Sequence, residues 1–267
     1  MIRKTLAATK AATFCIELPQ ADLRGMPGAI GTGFFVTPDG WFVTAAHVVT
    51  QNNRPNGQAR DDLEKMYISQ MVAFGQHPTG ASGPVLHGLD PYNDVALLKF
   101  DFGRESKSNW LSGKEGFPHL EISTRLMEEG EPVYSFGFPL TETSLVTSTP
   151  EMAAVTTKHS ARVTSAVIAA VDHPRHGPYI VHDNIIYVMD KALNYGNSGG
   201  PIVATETGKV FALCSRFQPV FFNQPHLEYS GRPMAIMAPS LYGLIPSLSN
   251  PDVVKLLGRN GILTSAD

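Results

Sequence analysis

Cysteine is nearly absent from this chain: Cys15 and Cys214 are the only two in 267 residues. At most one bridge can form, so no disulfide framework carries the fold. Long apolar runs are missing as well. No stretch reaches the roughly 20 residues that a membrane-spanning helix needs, and no membrane partner is expected. An excess of charge is also lacking, with 21 Lys and Arg against 24 Asp and Glu and a formal net charge of -3. That balance leaves no electrostatic footprint for nucleic acid or for an anionic membrane surface. Repeats and low-complexity tracts do not occur. The segment MIRKTLAATKAATFCIEL begins basic, but Lys10 and its threonines interrupt the apolar run that a signal peptide requires.

What the chain does have is an ordinary globular composition, 43% hydrophobic and 17% charged, long enough for a sizeable core in one large domain or two small ones. The pattern is of short apolar runs separated by turn chemistry: ATFCIEL, GFFVTPDGWFVTA, KMYISQMVAFG, VALLKF, EPVYSFGF, ARVTSAVIAAV, YIVHDNIIYVMD, PIVATETGKVFALCS and PMAIMAP. Thr37-Pro38-Asp39-Gly40 and Thr205-Glu206-Thr207-Gly208 lie between such runs and predict hairpin turns. Periodicity alone points to an all-β barrel or sandwich. Near the end, NPDVVKLLGRNGI predicts a short helix with Asn250 as N-cap, Pro251 at the first helical position and Gly258 as the stop; it is expected to pack on the second half of the molecule. Too few residues follow the last strand-like run for a further domain of about 50 residues.

The sharpest motif is GNSGGP at 196–201, which sets Ser198 in a glycine turn suited to a nucleophile. Acyl transfer needs a nucleophile, a base that takes its proton and a group that holds the base in the correct tautomer. His47 in TAAHVV and Asp94 in YNDVALLKF supply the two remaining residue types. Asp90, in GLDPY, is the nearest competitor of Asp94, but its place before Pro91 suits an exposed capping role.

His47 in GTGFFVTPDGWFVTAAHVV, Asp94 in NDVALLKF and Ser198 in DKALNYGNSGGPIV resemble, in order and spacing, the trypsin-like serine proteases and most closely their HtrA (Deg) branch. The resemblance continues in GEPVYSFGFPL, VTSAVIAA and AIMAPS. It implies a chymotrypsin-like fold of two six-stranded β-barrels, the first over residues 12–110, the second over 125–245, with a helical tail at 246–267. It also implies a serine endopeptidase acting through an acyl-enzyme without metal or organic cofactor. Asp94 would orient His47, His47 would take the Ser198 proton, and the backbone N–H groups of Gly196 and Ser198 would form the oxyanion hole. Secreted trypsin-like enzymes usually carry several disulfides, so two cysteines point to a reducing, cytoplasmic compartment. The PDZ domain typical of HtrA proteins is not expected in this chain. Asn197 stands where secreted zymogens carry an aspartate that pairs with a new N-terminus, so no activating cleavage is expected.

By the same resemblance, Ala192, Leu193 and Ala235 line the pocket for the residue on the acyl side of the cut. Cys214 stands where glutamate-selecting relatives place a histidine. Substrate backbone would pair with Ser215, Arg216 and Phe217 as an added strand. No partner is offered to a charged side chain, so a small or medium apolar residue is expected there. His173, His176 and His182 form a histidine cluster without cysteine, in a segment that reads as a hairpin turn and not as a zinc site. The stretch FQPVFFNQPHLEY at 217–229 reads as a loop next to where the family binds substrate, either packed on the barrel or forming a substrate-contacting or partner-docking surface, and HPTGASGPVLHG reads as a loop before Asp94. A peptide-binding barrel without turnover and an esterase using the same triad are the alternative functions. The sequence leaves oligomeric state open.

Overall fold

A computed structural model describes residues 2–18, 28–54, 56–61, 63, 66–69, 84–100, 116–149, 152–172, 184–217, 220–229, 232–238 and 242–266. Two curled sheets make up most of it. The first contains β1 (Thr13–Leu18), β2 (Gly28–Phe35), β3 (Trp41–Ala45), β4 (Tyr67–Ser69), β5 (Val85–Asp90) and β6 (Val95–Lys99), in the order β4-β1-β2-β3-β6-β5 and antiparallel throughout. The second contains β7 (Ile122–Ser123), β8 (Pro132–Thr149), β9 (Met152–Asp172), β10 (Ile186–Met189), β11 (Pro201–Ala204), β12 (Val210–Leu213), β13 (Arg216–Phe217), β16 (Gly243–Pro246) and β17 (Thr264–Ser265). Its order is β13-β16-β10-β9-β8-β11-β12-β7-β17. Since β7, β13 and β17 are two residues each, six longer strands carry this sheet. The hairpin turns expected at 37–40 and 205–208 join β2 to β3 and β11 to β12.

Strand periodicity explains the layering. In β1, Phe14 and Ile16 enter the first core while Cys15, on the opposite face, meets Phe136 and Phe138 of β8. In β11, Val203 faces the first core while Ile202 and Ala204 face the second. Strands buried on both faces read as unbroken apolar runs, as PIVA and VFAL do. The first core is aromatic: Phe35 and Phe117 stack with centroids 4.3 Å apart, Phe42 and Phe100 at 5.1 Å, and Phe14 meets Phe42 edge-on at 5.2 Å.

Several expectations are corrected. Residues Ile2–Ala12 form helix α1, where the sequence predicts no element before the strand-like run that starts at Ala12. Ile2 and Leu6 pack on the first core, and the Tyr134 hydroxyl lies 2.9 Å from both Thr5 Oγ1 and Thr9 Oγ1. The signal was a stretch free of Gly and Pro with Ile2, Leu6 and Thr9 along one face. The C-terminal helix is present as α3 (Pro251–Arg259), α2 being the short helix described below. It packs on the first sheet, not the second: Val253 and Leu257 belong to the first core, and Leu256 lies against Gly88 of β5. The chain continues past Gly258 to Arg259 before turning. HPTGASGPVLHG yields β5 from Val85 onward. The aromatic stretch at 217–229 is mostly strand β14 (Val220–Tyr229), paired with β15 (Arg232–Ala238) in a separate two-stranded sheet. The side chains of β14 and β15, and His173, His176 and His182, lie outside the described residues.

Candidate active site

Strand β3 ends at Ala45 and helix α2 (Ala46–Val49) follows at once, which places His47 in its first turn. Ala45 pairs with Val95, so the residue before β6, Asp94, falls beside that turn. The Asp94 carbonyl accepts the Ala46 N–H at 2.9 Å, and Asp94 Oδ1 accepts the His47 N–H, also at 2.9 Å. His47 Nδ1 stands 2.7 Å from Asp94 Oδ2. A carboxylate accepts there, so in the neutral ring Nδ1 carries the proton and Nε2 keeps its lone pair. Asp94 is fully buried while the His47 side chain keeps 19% exposure.

Asp94 has φ of 53°, in the left-handed region. Asp is enriched there among non-glycine residues, yet such backbone still costs on the order of 1–3 kcal/mol and persists where surroundings over-determine it. Here they do. Ser215 Oγ donates to Asp94 Oδ2 at 2.5 Å, giving the carboxylate a third donor. The resemblance assigns Ser215 a backbone contact with substrate; its side chain instead holds Asp94.

Ser198 sits in the turn between β10 and β11. Gly196 has φ of 91° and Gly199 of 83°, both favourable to glycine alone. A Cβ on Gly199 would overlap Thr44 Oγ1 and the Thr32 carbonyl and stand 2.6 Å from Ala45 N. The serine turn is thus pressed against the strand that leads into His47. Thr32 of β2 fastens it: its N–H donates to the Ser198 carbonyl at 2.8 Å and its hydroxyl to the Gly196 carbonyl at 2.6 Å. The N–H groups of Asn197, Gly199 and Gly200 go to Asn194, Cys214 and Asn197 carbonyls. Among the described residues, those of Gly196 and Ser198 donate to no protein acceptor. His47 and Ser198 share no hydrogen bond among the described residues; in free enzymes such contacts are often long and tighten when substrate binds.

The other candidates flank this turn. Leu193 is buried in the second core against Gly243, and Ala192 is half-buried. Arg216 and Phe217 form β13, which pairs with β16 on one side and ends the sheet order on the other. Ala235 pairs with Asn223 in the β14–β15 sheet; its side chain and that of Phe217 lie outside the described residues. Cys15 and Cys214 are both free and buried. Burial raises both thiols well above their ordinary range, with the Glu17 carboxylate adding to the effect at Cys15. Asp90 is buried, not exposed as expected, although it does cap: Oδ1 accepts the N–H groups of Tyr92 and Asn93 at 3.1 Å.

Comparison with known proteins gives the family and the fold. Residues 31–213 match the model of the trypsin-like peptidase domain. The chain is 25% identical over 187 residues to "Serine protease HTRA2, mitochondrial" of Bos taurus, covering 67% of this chain and 30% of that one. It is 28% identical over 173 residues to "Probable periplasmic serine endoprotease DegP-like" of Chlamydia pneumoniae, covering 65% and 26%. Among solved structures, "HtrA-type protease AlgW with tripeptide" matches with a TM-score of 0.57 at 15% identity, covering 98% of this chain and 65% of that one, a likeness of fold. The chain therefore spans about 30% of the length of such curated relatives.

Proposed function

The chain belongs to the trypsin-like peptidase family, and from that premise we propose that it is a serine endopeptidase working through Ser198, His47 and Asp94. The observation that carries the reading is the double hold of Asp94 on His47 beside a glycine turn in which the N–H groups of Gly196 and Ser198 meet no acceptor among the described residues. In the proposed mechanism His47 Nε2 takes the proton of Ser198 Oγ as the oxygen attacks the peptide carbonyl. The resulting imidazolium stays paired with Asp94, and the oxyanion is met by the N–H groups of Gly196 and Ser198. His47 then returns the proton to the departing amine. Water, activated by the same base, releases the acyl group from Ser198.

Substrate backbone adds to β13 at the edge of the second sheet. Ala192 and Leu193 bring no charge to the acyl-side pocket, and the Cys214 thiol is held neutral by burial. Burying an unpaired charge there costs several kcal/mol, which favours Ala, Val or Leu at the residue before the cut. A cytoplasmic location belongs to the same proposal, supported by the two free thiols. Incubation with a denatured proteome and mapping of new N-termini tests activity and preference together. Clusters of cuts after small apolar residues are expected; a dominant preference for Arg, Lys, Asp or Glu would overturn the pocket assignment. Ester hydrolysis without any protein cleavage would make the protein an esterase.

A further inference from the structure

Behind Asp94 lies a buried polar chain that the catalytic reading does not use. Asn250, Asn93 and Asp90 are 1%, 2% and 6% exposed. Asn250 Oδ1 accepts the Ile185 N–H at 2.7 Å, and its Nδ2 donates to the Ile185 carbonyl at 3.1 Å and to Asn93 Oδ1 at 2.6 Å. Asn93 Nδ2 donates in turn to Asp90 Oδ2 at 2.6 Å. The direction of every bond follows from its ends: a backbone N–H only donates and a carboxylate accepts, so each amide has one orientation. Asn250 stands at the N-cap of α3, yet its side chain makes no cap bond there. A residue type suited to capping is thus diverted to a contact 157 positions away, and departures from local preference of this kind concentrate at functional sites.

We infer that Asn250, acting through Asn93, is a positioning residue for Asp94. Asn93 immediately precedes Asp94 in the four-residue turn between β5 and β6, and Asp94 is left-handed there. Clamped to Asp90 on its own hairpin and to Asn250 at the start of α3, Asn93 cannot rotate. The peptide entering Asp94 is therefore fixed, and so is the direction of its carboxylate. Because Asn250 is also bonded to Ile185 at the mouth of β10, the strut ties the Asp94 turn to the strand whose continuation carries Ser198. The inference rests on the proposed triad.

Four variants test it: Asn250→Ala, Asn93→Asp, Asp90→Asn and the last two combined. Asn93→Asp alone sets two buried carboxylates together, whereas the combination restores one amide facing one carboxylate. The readouts are the labelling rate of Ser198 by a fluorophosphonate, turnover of fluorescein-labelled casein, and the downfield proton resonance of His47 Nδ1–H. For Asn250→Ala and Asn93→Asp, labelling and turnover should fall at least about tenfold, within the ~hundredfold that a 1 Å misplacement can cause, and the resonance should broaden or vanish. The combined variant should recover both. Folded Asn250→Ala with wild-type rates and an unchanged resonance would overturn the inference, as would a folded combined variant no better than Asn93→Asp. If Asn250→Ala does not fold, the comparison of Asn93→Asp with the combined variant decides. If wild type itself labels no serine, the proteolytic reading fails, and the resonance still decides whether the strut orients the Asp94 turn.

Discussion

Thr32 holds Ser198 from the opposite sheet: its backbone N–H donates to the Ser198 carbonyl at 2.8 Å while its hydroxyl donates to the carbonyl of Gly196 at 2.6 Å. The same hydroxyl accepts the Phe138 N–H at 3.2 Å. One side chain of β2 therefore fixes the Gly196–Asn197 peptide, which lies between the two proposed oxyanion donors. Thr32→Val keeps shape and burial but leaves the Gly196 carbonyl and the Phe138 N–H without this partner. Each such group costs about 1–3 kcal/mol, so thermal unfolding should occur at lower temperature. Turnover should also fall by at least about tenfold, a fraction of what loss of a whole oxyanion donor costs. A turnover number unchanged in the folded variant would exclude a role for Thr32 at the turn.

Ser198→Ala removes the proposed nucleophile without disturbing the bonds to Thr32, which involve backbone. It should unfold like wild type and lose at least about a thousandfold in peptide turnover, because only binding and oxyanion stabilisation remain. A fluorophosphonate should label wild type at Ser198 and leave the variant unlabelled. Proteolysis undiminished in the variant would remove Ser198 from the mechanism.

Gly199→Ala should be more damaging to structure. Left-handed backbone costs an alanine roughly 1–2 kcal/mol, and the added methyl would meet Thr44, the Thr32 carbonyl and Ala45 N, overpacking of a kind that costs typically 1–3 kcal/mol. The turn must withdraw from β3, carrying Ser198 away from His47. Reduced denaturant midpoint together with loss of fluorophosphonate labelling is the expected pair of results, and normal labelling would contradict it.

The two cysteines give a pH dependence with a definite sign. Burial raises both thiols in the folded state, so above about pH 8.5 the unfolded chain releases protons that the folded chain retains. Stability should be unaffected by these groups below that pH and should fall as pH rises past it, by about 1.4 kcal/mol per pH unit for each thiol. Urea unfolding of wild type and of the Cys15→Ala, Cys214→Ala double variant between pH 7 and 10 measures this. A slope equal in both proteins would show that the thiols are not protected, and so would rapid reaction of native protein with a thiol reagent at pH 8.

The hairpin turns at 37–40 and 205–208, the runs PIVA and VFAL, the helix after Asn250 and the serine turn were legible because each depends on residues close in sequence. Turn chemistry, strand period and the glycines around Ser198 act within a few positions. The resemblance to trypsin-like proteases adds the family and an expected partnership of His47 with Asp94. Helix α1 is also local in origin, since its segment is free of Gly and Pro; the Lys10 and threonines that interrupt an apolar leader run are compatible with a helix.

Other contacts depend on where distant strands lie. Ser215 meets Asp94 across 121 positions, Thr32 meets Gly196 across 164, and Asn250 meets Asn93 across 157. Serine, threonine and asparagine are common residues whose side chains bond to whatever the fold brings near, so their types alone name no partner. The sequence assigns Asn250 to a helix cap; tertiary structure turns the same amide toward Asn93 and Ile185. It likewise sets α3 on the first sheet, because the apolar face of Val253 and Leu257 fits any core of suitable shape and only the path of the chain decides which one it reaches.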